Sequence, residues 1–123
     1  MNNNVFGEVQ FNMGWEKKED INLFNQTYTV TVSAAAYFDT DKITDEQEKA
    51  YGEFEKEKIN ILTNVEHLME KIKDGEKRYA PSLLLFQRNG DYALLFDDVN
   101  DNEDGIAVTI RPEYSVINTD QYL

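Results

Sequence analysis

Apolar and polar residues alternate through residues 27–34. Tyr28, Val30, Val32 and Ala34 fall on one side and Thr27, Thr29, Thr31 and Ser33 on the other, the pattern of a strand with one face in water. A similar alternation of Val5, Gly7, Val9 and Phe11 predicts an opening strand, closed by a turn at Asn12-Met13-Gly14. Residues 15–24 read as a second strand, and the mixed charges from Glu16 to Asp20 suit a sheet edge. The period then changes to three and four. Tyr51, Phe54, Ile61, Leu62, Val65, Leu68, Met69 and Ile72 form one stripe, interrupted at Lys58. Thr44 and Gln47 have capping-box spacing, Asp45 and Glu46 suit the positive end of a helix, and Lys71, Lys73 and Gly75 mark its finish. Unbroken, that helix is about 29 residues and about 43 Å long, and Gly52 is where its first turns could bend.

Beyond Pro81, the runs 83–88 and 91–97 flank Asn89-Gly90, the strongest two-residue hairpin signal. Pairing Arg88 with Asp91 puts Leu83, Leu85, Tyr92, Leu94 and Phe96 on one side and Leu84, Phe86, Ala93 and Leu95 on the other. Both sides are apolar, so this hairpin is predicted at the sheet centre. Residues 106–111 and 114–117 supply two more strands. The predicted fold is α+β: one domain over residues 1–123, a mostly antiparallel twisted sheet of five to seven strands with one long amphipathic helix packed on one face.

Several of these segments, taken together, also carry a resemblance. Phe6-Gly7-Glu8, Leu23-Phe24 with Thr27-Tyr28 and Val32-Ser33-Ala34, residues 43–48 with Ala50-Tyr51, residues 89–98 and Gly105-Ile106-Ala107-Val108 resemble a family of small acidic bacterial domains of unknown function. The resemblance runs almost end to end and brings no catalytic residue with it.

Charge narrows the partners. Lys and Arg number 12 against 24 Asp and Glu, a net charge of −12, while the 41% hydrophobic content is too rich for a disordered chain. Such a surface repels nucleic acid and anionic membranes, leaving a basic protein or a divalent cation as counterpart. No secretion signal or stretch of about 20 apolar residues is present, and there is no cysteine, so the cytoplasm is the expected compartment. Nothing in the pattern specifies an oligomeric state.

Candidate chemistry is sparse. His67 is the single histidine, the serines lack a nucleophile-elbow context, and the glycines form neither a dinucleotide nor a phosphate-binding motif. No cofactor is implied, and the chain is read as a non-enzymatic binding module of immunity or inhibitor type. Its predicted contact is the acidic run Asp97, Asp98, Asp101, Glu103 and Asp104, with Trp15 and Tyr79 as amphipathic rings beside polar segments. One alternative is a calcium-responsive structural module in which Asp98, Asn100, Asn102 and Asp104 supply oxygens. The required glycine and closing glutamate are absent from that spacing. The other, ranked last, is a small enzyme built on a carboxylate pair.

Overall fold

A computed structural model describes the backbone of all 123 residues and the side chains of all but Asn102 and Glu103. The strands are β1 (Asn2–Asn3), β2 (Gly7–Glu8), β3 (Gln10–Phe11), β4 (Trp15–Leu23), β5 (Gln26–Ala34), β6 (Tyr79–Phe86), β7 (Tyr92–Asp98), β8 (Asp101–Arg111) and β9 (Ser115–Asn118). Helices α1 (Asp45–Lys56), α2 (Lys58–Met69) and α3 (Gly75–Arg78) lie between β5 and β6, and α4 (Thr119–Tyr122) follows β9. Strands β3 to β9 form one seven-stranded sheet in chain order. Its one parallel pair, β5 with β6, is the pair that the helical crossover joins. No helix is long and apolar enough to cross a membrane, among the described residues.

The sheet buries one face against the helices. Val30, Val32, Leu84, Phe86, Tyr92, Leu94, Phe96, Ile106 and Val108 meet Tyr51, Phe54, Ile61, Leu62, Val65 and Met69 in a single cluster. Phe86 stacks on Tyr92 at 4.6 Å and meets Phe6 and Tyr51 edge-on, so aromatic pairing ties the N-terminal segment, α1 and two central strands together. A smaller cluster of Ala93, Leu95 and Ala107 lies apart from this core, flanked by Leu83, Leu85, Ile117 and Tyr122.

Three expectations change. The opening segment is not one strand, because the Asn3 side chain accepts the backbone N–H groups of Val5 and Phe6 at 2.8 Å each and folds the chain back. Phe6 is thereby swung into the core and Val5 out into water. The expected long helix is two helices that meet at Glu57, whose φ of −107° and ψ of 20° break the ladder beside the gap in the stripe.

The third correction is one of register. Gly90 N–H donates to Gln87 O and Gln87 N–H to Asp91 O, with Gly90 at φ 95°, so the turn takes three residues rather than two. Phe86 therefore pairs with Tyr92 and Leu84 with Leu94. A one-residue slip exchanges faces, which unites Leu84, Phe86, Tyr92, Leu94 and Phe96 in the core and sends Leu83, Leu85, Ala93 and Leu95 to the other side.

Candidate functional site

The acidic run forms the end of the β7–β8 hairpin, with Asp98 opposite Asp101 and the turn at Val99-Asn100. Asp98 is buried. Its carboxylate accepts Asn100 N–H at 2.9 Å and Arg78 Nε at 2.9 Å, and these contacts hold its carboxyl below the usual carboxylate range, the Asn100 bond most strongly. Arg78 also reaches Asp104 at 3.7 Å and lies over the Tyr79 ring at 5.1 Å, while its carbonyl accepts Val99 N–H at 2.8 Å. The last residue of α3 is thus the counter-ion around which the hairpin end is built. Asp97, Asp101 and Asp104 are exposed around it.

That arrangement brings Asp97, Asp98, Asp101, Asp104 and Tyr79 together and leaves Trp15 out. Trp15 pairs with Ala34 and Ala34 with Phe86, the far end of β6 from Tyr79, about 23 Å away at 3.3 Å per residue. Neither ring offers a binding surface as expected, because Trp15 is 8% and Tyr79 7% exposed. The Glu103 side chain lies outside the described residues, as does that of Asn102 in the calcium reading. A guanidinium already occupies one Asp98 oxygen and a backbone N–H the other. Among the described residues no group of three or more acidic or histidine side chains converges as a metal cage.

The exposed aromatic rings are elsewhere. Tyr37 is 82% and Phe38 68% exposed, in the segment that leads from β5 to α1 at the Trp15 end of the sheet. Met13, in the β3–β4 turn at that same end, is 90% exposed. Their backbone is firmly held. Both Tyr37 N–H and Phe38 N–H donate to Asp41 Oδ2 at 3.0 Å, and Asp41 N–H returns a bond to Phe38 O at 3.0 Å. Trp15 Nε1 then donates to Asp41 O at 2.7 Å, which fixes the turn against the sheet.

The root of the segment is clamped by a side chain with no exposure at all. Gln47 Nε2 donates to Ala35 O and to Phe86 O at 3.0 Å each, and its Oε1 accepts Thr44 N–H at 2.9 Å. One amide therefore joins the end of β5, the end of β6 and the cap of α1, with its donors and acceptor all used. Arg88 Nη1 adds a bond to Ala35 O at 3.1 Å, and Thr44 Oγ1 one to Arg88 O at 2.8 Å. Residues 35–46 carry Asp39, Asp41, Asp45 and Glu46 against Lys42, so the rings project from acidic surroundings.

Sequence reading missed Tyr37 and Phe38 because they belong to no periodic run. The available signal was local: two adjacent aromatics followed by Asp-Thr-Asp, where an aspartate can turn back onto backbone N–H groups. Comparison of the chain with family models, with curated proteins and with solved structures finds no match.

Proposed function

We propose that this domain is a non-enzymatic binding module that docks onto a basic protein through Met13, Tyr37 and Phe38. One observation carries the reading: two aromatic side chains are held out in water by a segment hydrogen-bonded at both ends. Burying a side chain of that size is worth about 1.5–3 kcal/mol, and the same chain buries Phe6, Phe54, Phe86 and Phe96 almost completely. Rings whose backbone is already fixed lose less entropy on docking than rings on a loose segment and make good centres of an interface. The net charge of −12 selects a basic partner and accelerates encounter, so association slows as salt is raised.

The test is site-specific photo-crosslinking in a lysate of the source organism, with a benzoylphenylalanine at position 38 and a control at Ile59, which is more exposed still. A discrete adduct with a basic protein is expected from position 38 alone. With that protein purified, Tyr37→Ser and Phe38→Ser should each weaken binding about 30-fold, the equivalent of a 2 kcal/mol contact. Identical adducts from both positions, or unchanged affinity in both variants, would remove the proposal.

A further inference from the structure

One side of the sheet ends in an unfilled edge. β3 covers only the first two residues of β4, pairing Gln10 with Glu16 and Phe11 with Trp15. Residues 17–23, roughly 23 Å of strand, have β5 on one side and, among the described residues, no strand on the other. The β4–β5 turn settles which groups face outward. Phe24 and Asn25 have φ of 53° and 60° and Leu23 pairs with Gln26, so the loop has two residues and Leu23 and Gln26 exchange hydrogen bonds. Bonding then alternates along β4, so Lys17, Glu19 and Ile21 serve β5 while Lys18, Asp20 and Asn22 aim N–H and C=O outward. The Asp20 carbonyl agrees, since it accepts Lys58 Nζ of α2 at 3.1 Å.

Such a row of free donors and acceptors is a template for another strand. Its charges do not repel a copy of itself. The open stretch carries Lys17 and Lys18 against Glu19 and Asp20, two bases and two acids, on a chain whose total is −12. Ile59 of α2 lines the same hollow as Asp20 and Leu62, and it is 83% exposed.

We infer that a second copy of this chain adds to the open edge, β4 against β4 and antiparallel, about a two-fold axis at Asp20. The two seven-stranded sheets then become one. This register places Lys17 opposite Leu23 and Lys18 opposite Asn22, which uses the whole free stretch and keeps each β3 clear of the other copy. Diagonal neighbours across such a pair are about 7–8 Å apart, so Lys18 of each copy reaches Asp20 of the other and offsets the meeting of the two aspartates. Lys58 yields the Asp20 carbonyl to the incoming N–H and keeps Glu19, at 2.8 Å. Because Ile59 lies beside Asp20, the same axis draws the two isoleucines together out of water. Two molecules of charge −12 repel at a distance, so this association tightens as salt is raised, the reverse of docking onto a basic partner.

Sedimentation equilibrium of the full chain, up to millimolar concentration and at low and high salt, tests this. A reversible step from 14.3 kDa to twice that mass is expected, with a dissociation constant that falls as salt rises. Ile59→Lys, at an exposed position that keeps the fold, and Asn22→Pro, which removes an edge donor that β5 does not use, should each weaken it by about tenfold or more. The chain has no cysteine, so Asp20→Cys introduces a single thiol. Hydrogen-bonded antiparallel partners have Cα atoms about 5.5 Å apart, within disulfide reach, so this variant should oxidise to a covalent dimer. Thr29→Cys, paired with Asp20 but one strand further in, should not. A monomer under every condition would overturn the inference. So would a dimer that both Ile59→Lys and Asn22→Pro leave unchanged, or equal capture by the two cysteine variants.

Discussion

Replacing Gln47 gives the sharpest test of how the Tyr37–Phe38 segment is held. Gln47→Ala removes three bonds, to Thr44 N–H, Ala35 O and Phe86 O. The two carbonyls keep one partner each, Arg88 Nη1 and Ala35 N–H, while Thr44 N–H at the half-buried helix start gives up its Oε1 acceptor. At roughly 1 kcal/mol net per bond the cost is about 3 kcal/mol, and at about 3–5 °C per kcal/mol the melting temperature falls by about 10 °C. Gln47→Glu separates polarity from size. An ionised carboxylate has no donor and would face two carbonyl oxygens from a site without solvent, so at neutral pH this variant should be less stable than the alanine variant. Protonation restores one donor. The introduced carboxyl has a raised folded-state pKa, so its contribution is present at low pH and lost as pH rises, and the variant should regain stability on acidification relative to Gln47→Ala. Urea unfolding followed by circular dichroism at several pH values measures both effects. A loss below about 1 kcal/mol for Gln47→Ala, or parallel pH profiles for the two variants, would refute the reasoning.

Other substitutions separate display from packing. Tyr37→Ser and Phe38→Ser should change stability by no more than about 0.5 kcal/mol in thermal unfolding, since both rings face water. Phe86→Ala should cost about 3–5 kcal/mol, because its fully buried ring meets Phe6, Tyr51 and Tyr92. Asp98 has a lowered carboxyl, so its stabilising effect is present above the ordinary aspartate range and lost as pH falls through the depressed value; Asp98→Asn should flatten the acid limb of the stability profile.

Much of the architecture is legible in the chain. The alternation in residues 27–34 marks β5, the Thr44–Gln47 spacing marks the start of α1, and the Lys58 gap lies beside the junction with α2. What the pattern leaves open is geometry set between elements. Asn89-Gly90 announces a turn, but the choice between two and three residues depends on bonds among Gln87, Gly90 and Asp91, and that choice exchanges the faces of the central hairpin. The acidic run is plain in the sequence, yet Arg78 as its counter-ion comes from a four-residue helix with no periodic signal. Local polarity around Trp15 suggests exposure, whereas its indole packs against Phe11 and supports Asp41. Gln47 reads as a cap. Its reach to Ala35 and Phe86 depends on strands that approach only in three dimensions.

The binding reading depends most on Tyr37 and Phe38 being presented by an ordered backbone, and ¹⁵N relaxation of the free protein measures this directly. Order parameters of about 0.85 across residues 37–41, equal to those of β5, are the expected result, and they should drop in Asp41→Ala. Values below about 0.6 in the unmodified chain would contradict it, because rings on a mobile segment would have to be ordered anew by any partner.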